Sequence, residues 1–184
     1  MGARCGIEII PNGVDLSETY REPEKYKNCE HKRVITVSRL VKKNGVGDLI
    51  KAMLYLNDDI HLTIIGAGEL RPSLANLVAD KKIEARVHFA GSVAPDKVFN
   101  YLRESDVFVR PSLSEGLGNA FLEAMAVGVP VIGTRVGGIP DFLRDGETGW
   151  YAQVKNPKSI AEKIKYVLAG NNRAEVARVV LWTS

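Results

Sequence analysis

The chain has 184 residues, 45% of them hydrophobic and 26% charged, which is an ordinary globular composition and enough for one core that buries roughly 70% of the unfolded surface. The net charge of +3 is dispersed, and the densest basic clusters, Lys42-Lys43 and Lys81-Lys82, are too short to imply a nucleic-acid surface. No apolar run approaches the roughly 20 residues of a membrane span, none has the form of a signal-peptide core, and Cys5 and Cys29 lack CxxC spacing, so two free thiols in a reducing compartment are expected.

The chain opens with a short apolar run at residues 7–10 and an Asn-Gly turn in Pro11-Asn12-Gly13-Val14-Asp15. A polar, irregular connection is expected over residues 16–32. Val34-Ile35-Thr36-Val37 is β-branched and reads as a buried strand, with Arg39 just past its end. Val46, Leu49, Ile50, Met53 and Leu54 recur at helical spacing. His61 to Ile65 is the next strand, closing at Gly66-Ala67-Gly68. Leu70, Leu74, Leu77 and Val78 mark a second helix, with Lys81-Lys82 placed against its negative end. Val87-His88-Phe89 is a strand ending near Gly91, and Pro95 opens a helix with Val98, Tyr101 and Leu102 as its inner stripe.

Val107 to Val109 is a strand that leads to a loop, Ser112 to Glu115, and a helix near 118–127. A strand follows at 129–133, then Gly137-Gly138 and a short helix near Pro140–Leu143. Asp145-Gly146 makes a turn, Gly149-Trp150-Tyr151 is extended, and Ile160, Ile164, Val167 and Leu168 mark another helix. A last amphipathic helix is expected from Ala174 to Leu181. Strand and helix alternate at least five times, which predicts an α/β, Rossmann-like, three-layer domain with a mostly parallel sheet. With no interior linker and no repeat, residues 1–184 are expected to form a single domain.

In such a sheet ligands bind beyond the carboxyl ends of the strands. Arg39, the pair Gly66 and Gly68, the pair Gly91-Ser92, the run Ser112 to Glu115, and Thr134 with Gly137-Gly138 each follow a strand, so all fall on one rim. Gly116 and Gly118 let a phosphate approach the backbone, and the N–H groups of the following helix point at it with the positive end of the dipole behind them. Arg39 offers a bidentate grip on phosphate oxygens, and Lys43 a second positive charge. Glu123 lies about 6 Å along the helix, within reach of a ribose hydroxyl pair. Glu115, just outside the helix, faces whatever hangs from the distal phosphate.

Each feature also has a plain alternative. Gly116-x-Gly118 also suits a tight strand-to-helix turn, Arg39 a pairing with a core carboxylate, Lys42-Lys43 a solvated face, and Gly137-Gly138 a simple loop. Glu123 adjoins Leu122 and Ala124-Met125-Ala126, so its carboxylate wants a partner. Other chemistries fit poorly. Gly66-Ala67-Gly68 begins a dinucleotide fingerprint, but Arg71 occupies the third glycine position. There is no P-loop and no GxSxG elbow. His31, His61 and His88 are isolated in sequence, and His and Cys spacing gives no metal site. Without an Asp-x-Asp to hold magnesium, a diphosphate site would need Arg, Lys and a helix N-terminus, and those are present.

At these residues the chain resembles the C-terminal domain of family-4 (group 1) retaining glycosyltransferases, which have the two-domain GT-B fold. The resemblance rests on Pro11-Asn12-Gly13-Val14-Asp15, Ser38-Arg39-Leu40-Val41, Gly66-Ala67-Gly68-Glu69-Leu70, Val87-His88-Phe89-Ala90-Gly91, Pro111 to Gly116, Glu123-Ala124-Met125-Ala126 and Gly137-Gly138-Ile139-Pro140. These run in family order from about residue 9 to residue 170, and Glu115 and Glu123 make the Glu-x7-Glu pair. The resemblance implies half of a GT-B fold that binds a UDP-, GDP- or ADP-sugar. It implies transfer with retained configuration, no cofactor and no metal, to a glycan or lipid-linked acceptor. Glu115 then contacts the donor sugar, with Arg39 and Lys43 beside it as catalytic cations, and Glu123 holds the ribose hydroxyls. The amides of Leu117, Gly118 and Asn119 cradle the diphosphate after Gly116, and Gly66, Gly68, Ser92 and Val93 border the nucleotide.

Two positions depart from the family pattern. Its lysine before the glycine after Arg-Leu-Val is Asn44 here, with Lys43 preceding it, and Asp141 replaces the commoner glutamate. An N-terminal acceptor domain of the same polypeptide has no counterpart in the chain, so a C-terminal fragment inactive by itself is expected. It would be cytoplasmic, at most peripheral to a membrane and without nucleic-acid partners. A non-catalytic nucleotide-binding module and a GT-B nucleotide-sugar epimerase are the alternatives.

Overall fold

The computed structural model describes residues 31–116 and 118–170, and strand and helix alternate along them. Strand β1 (Lys32–Val37) leads to α1 (Val46–Ala52), and β2 (Ile60–Ile65) to α2 (Arg71–Asp80). Next come β3 (Val87–Gly91) with α3 (Pro95–Arg103) and β4 (Val107–Val109) with α4 (Asn119–Ala126). β5 (Val131–Thr134), β6 (Trp150–Ala152) and α5 (Pro157–Ala169) complete the described chain. The expectations for residues 7–15, Cys5, Cys29, Leu117 and the helix over 174–181 lie outside the described residues.

The strands form one sheet in the order β3-β2-β1-β4-β5-β6, and every neighbouring pair is parallel. This is the α/β, Rossmann-like, three-layer architecture. Consecutive strand residues face opposite sides, and Val34 and Ile35 show the consequence. Val34 joins a core of Leu49, Ile50, Leu62, Ile160 and Ile164 under α1 and α5. Ile35 joins a second core of Leu102, Phe108, Phe121 and Met125 under α3 and α4. A fully buried side chain of this size contributes about 1.5–3 kcal/mol by leaving water, so β1, lined on both faces, is the axis of the domain. The strand order reverses direction between β1 and β4, and a crevice opens there beyond their carboxyl ends.

Two inner-face assignments fail. Helix α1 ends at Ala52 and tightens into a 3-10 turn over Met53–Tyr55. The narrower turn keeps Met53 fully buried and rotates Leu54 out to 44% exposure. In α3 the buried line is Val98 and Leu102, four residues apart, and Tyr101 sits off that line and is exposed. The short helix after Gly138 is a 3-10 turn over Ile139–Asp141. Among the described residues no helix is long and apolar enough to cross a membrane.

These positions give a paired stability prediction. Leu49→Ala should cost about 2–5 kcal/mol in urea unfolding. Leu54→Ser should stay within about 0.5 kcal/mol of the parent, and a large loss at Leu54 would contradict the 3-10 ending of α1.

Candidate functional site

Because all six strands run one way, the loops that follow them share a rim, and backbone contacts join these loops laterally. Gly66 N donates to Gly91 O at 2.7 Å, Leu40 N to Ala67 O at 2.9 Å, and Leu70 N to Leu40 O at 3.0 Å. Across the β1/β4 crevice, Leu113 N donates to Lys43 O at 2.6 Å. On the far side, Gly138 N donates to Gly116 O at 3.1 Å. Two glycines make the closest approaches possible. A Cβ on Gly45, at φ +68, would stand 1.9 Å from Pro111 O, and one on Gly137, at φ +54, would stand 1.8 Å from Glu115 O.

Gly66 and Gly68 have the same kind of explanation. A Cβ at Gly66 would meet Ser38 O at 1.9 Å and one at Gly68 would meet Leu40 O at 2.5 Å. The structure accounts for both by loop-on-loop packing, without a ligand. Gly91 and Gly116, by contrast, have open space where a Cβ would be. Ser92 is exposed beside Gly91, and Val93 is half-buried against the second core. Both follow β3, two strands from the crevice, a lateral distance of about 10 Å at ordinary strand spacing.

Glu115 is the most heavily tied carboxylate of the rim. Its Oε2 accepts from Arg110 Nη2 at 2.5 Å and from Ser112 Oγ at 3.2 Å, and its Oε1 accepts from Gly116 N at 3.1 Å. The Arg110 and Glu115 side chains are 11% and 8% exposed. Burial pulls the Arg110 guanidinium below its ordinary value, while the Glu115 carboxylate works in the opposite direction. Removing one member of such a pair strands a buried charge at a cost of about 3–5 kcal/mol. The Gly116 amide is therefore engaged by Glu115, and the free donors begin further on.

Helix α4 starts at Asn119 after Gly118, which has φ 71 and no side-chain cap. The N–H groups of Asn119 and Ala120 meet no acceptor among the described residues. Such a terminus, with the helix dipole behind it, attracts an anion. One turn further, Glu123 is half-buried and its carboxylate makes no hydrogen bond or ion pair with any described residue. Burial raises its proton affinity above the ordinary glutamate value.

On the opposite lip, Arg39 has an exposed side chain, and its carbonyl accepts from Asn44 Nδ2 at 2.7 Å. Lys43 is exposed and supplies its carbonyl to the crevice contact described above. Asn44 is 1% exposed, and its Oδ1 accepts from Arg110 Nη2 at 3.2 Å. The residue at the family's lysine position is therefore an internal strut. Arg110 and the role of Asn44 escaped sequence reasoning. Their signal was an arginine directly after the apolar run Val107 to Val109, where a charge is buried beside the strand end.

The three histidines, isolated in sequence, gather at the other end of the sheet. His31, His61 and His88 line one hollow with Arg33 and Arg86, and the His31 and His61 rings lie 4.3 Å apart. They take no part in the rim.

The profile of the family described as "Glycosyl transferases group 1" matches residues 19–178. The chain belongs to this family. As a group 1 glycosyltransferase domain it is 34% identical over 175 residues to the amylovoran biosynthesis glycosyltransferase AmsK of Erwinia amylovora, covering 87% of this chain and 42% of that protein. It is 30% identical to the GDP-mannose-dependent alpha-(1-6)-phosphatidylinositol monomannoside mannosyltransferase of Mycobacterium tuberculosis, over 94% of this chain and 49% of that one. The chain thus spans about half the length of the curated relatives it matches. Among solved structures, the C-terminal domain of a group 1 glycosyl transferase from Francisella tularensis superposes with a TM-score of 0.80 at 24% identity, covering 94% of this chain and 98% of that one. Anabaena HepE in complex with UDP and glucose superposes with a TM-score of 0.77 at 20% identity, over 82% and 44% of the two chains.

The Glu123 carboxylate of the group 1 domain has no partner among the described residues, and this has a measurable cost. A carboxyl whose proton affinity is raised on folding favours the native state below its unfolded pKa of 4.5. That contribution is lost as pH rises from there through the folded value. Glu123→Gln imitates the protonated form. It should raise the melting temperature at pH 7 by about 1–3 °C, and the gain should vanish near pH 4. An unchanged or lowered melting temperature at pH 7 would show that the carboxylate already has a partner.

Proposed function

We propose that this chain is the donor-binding half of a group 1 glycosyltransferase. It binds a nucleoside diphosphate sugar, a UDP-, GDP- or ADP-sugar, for metal-independent transfer with retained configuration to a glycan or lipid-linked acceptor. The observation that carries the reading is the open N-terminus of α4 with the unpartnered, half-buried Glu123 one turn behind it. An anion and a vicinal hydroxyl pair a few ångströms apart satisfy both, and a nucleotide diphosphate has that composition. The curated relatives named above are glycosyltransferases, which supports transfer over a free-standing binding module or an epimerase.

In this reading the ribose hydroxyls donate to Glu123. The diphosphate lies at the Asn119 end of α4, with Arg39 reaching from the β1 lip and Lys43 beside it. Glu115 faces the sugar, and the segment Gly91 to Val93 borders the base. Cleavage of the bond between the anomeric carbon and the diphosphate leaves negative charge on the departing phosphate. The helix terminus and Arg39 are aimed at that charge before it forms, and one such donor is worth about 3–4 kcal/mol in barrier height. In this reading cationic side chains and amides carry the electrostatic work. The acceptor wall of the cleft belongs to a preceding domain of the same polypeptide, and without it the chain binds donor weakly and transfers nothing. The protein works in the cytoplasm, at the membrane face when its acceptor is a lipid.

Titration of the chain with UDP and with GDP, by calorimetry or NMR, tests the ribose assignment. Glu123→Ala should weaken the preferred nucleotide about tenfold, and equal affinities in mutant and parent would remove Glu123 from the site. In the polypeptide that includes the acceptor domain, Arg39→Ala should lower turnover on the order of a hundredfold. Near-normal turnover would place the diphosphate elsewhere.

A further inference from the structure

The Arg110 guanidinium is committed inside the protein through one nitrogen. One nitrogen, Nη2, contacts Asn44 Oδ1 at 3.2 Å and Glu115 Oε2 at 2.5 Å. Its Nε is buried with no acceptor. Asn44 in turn donates to Arg39 O at 2.7 Å. The chain of contacts Arg39–Asn44–Arg110–Glu115 therefore crosses the crevice from the β1 lip to the β4 lip, and all of its links are side-chain hydrogen bonds or an ion pair. A purely structural ion pair would not need this placement, because a buried Arg–Glu pair is seldom better for stability than two apolar side chains of the same volume. A role in aiming the carboxylate would account for it.

The carboxylate itself shows what is being aimed. An ionised carboxylate has about four acceptor positions, two on each oxygen. Oε2 is filled by Arg110 and Ser112, and Oε1 takes the Gly116 amide. Among the described residues nothing fills the remaining acceptor position, which is on Oε1. We propose that Arg110, anchored by Asn44, is a positioning residue that presents Glu115 with a single open acceptor to one hydroxyl of the donor sugar. The inference rests on the reading of Glu115 as the sugar-facing carboxylate. It adds the residues that set its orientation and the number of hydroxyls it can take. It also gives the asparagine at the family's lysine position a function, since a lysine there would place an ammonium directly against the Arg110 guanidinium.

The test separates the sugar from the nucleotide. Dissociation constants of the full chain are measured for UDP against UDP-glucose and for GDP against GDP-mannose, and the pair that binds is carried forward. Arg110→Lys keeps the charge but lacks the fork that reaches Asn44 and Glu115 together. It should weaken the nucleotide sugar about tenfold and leave the free nucleotide within about twofold. Asn44→Ala, which retains the ion pair and loses the hydrogen bonds to Arg110 and to the Arg39 carbonyl, should give the same split with a smaller amplitude. In a Glu115→Gln background, Arg110→Lys should add nothing, because the two act through one carboxylate. Thermal unfolding of each variant shows that it is folded.

Equal weakening of nucleotide and nucleotide sugar overturns the proposal, since Arg110 would then hold the diphosphate or merely the elbow. So does an unchanged ratio in Arg110→Lys, or a full additional loss in the Glu115→Gln background. Failure of the underlying reading looks different. Glu115→Gln by itself would leave the ratio of the two affinities unchanged, or the parent chain would bind neither nucleotide sugar, and the inference would fall with it.

Discussion

The contact on which this domain's chemistry depends is the backbone approach between the loops after β1 and β4. Parallel strands adjoin there, but their helices leave on opposite faces, so nothing in the helical layers fills the space beyond the strand ends. The loops close it themselves. The bond from Leu113 N to Lys43 O and the Gly45–Pro111 approach fix the crevice width at backbone contact distance. A side chain at position 45 would have to push the β4 loop away. Once that contact is made, Asn44 is forced inward and meets Arg110, and Arg110 meets Glu115. The position of the Glu115 carboxylate is thereby traceable to a glycine and a carbonyl on another loop.

The polar groups of the rim divide into satisfied and unsatisfied sets, and the division is spatially ordered. On the β4 loop, the Glu115 carboxylate is held by Arg110, Ser112 and the Gly116 amide. The amides of Asn119 and Ala120 and the Glu123 carboxylate lack partners among the described residues. Burying an unpaired carboxylate costs stability, and the raised proton affinity of Glu123 is that cost expressed in the ligand-free state. A ligand that donates hydroxyls to Glu123 and offers charge to the helix terminus recovers it. The folded chain is in this sense incomplete in one place and complete in the adjoining one.

Most of the fold was legible because its signals are local. The β-branched run Val34 to Val37, the spacing of Ile160, Ile164 and Val167, and the proline at the start of α3 each specify an element without knowledge of the others. The failures at Leu54 and Tyr101 came where a helix tightens or its buried stripe narrows, which depends on the neighbouring layer. The gathering of glycines and acids on one rim was legible, but the connections among them were not. Gly66 and Gly68 look like ligand glycines in sequence, and only the approach of Ser38 and Leu40 reveals a packing reason. The link from Asn44 to Arg110 could not be read from spacing, because the two are 66 residues apart and meet only when β1 and β4 pair.

Asn44 shows how a departure from a family pattern is best weighed. Judged by charge alone, asparagine in place of lysine removes a cation from the rim. The structure gives a different balance. Position 44 is almost wholly buried, and its neighbour is a guanidinium already committed to Glu115. A second cation there would be desolvated and would face a like charge, both of which disfavour it. A neutral side chain with one acceptor for Arg110 and one donor for the Arg39 carbonyl satisfies both groups at once. The buried cation beside it is Arg110 at the β4 strand end, and the residue at 44 is the one that lets it stay there.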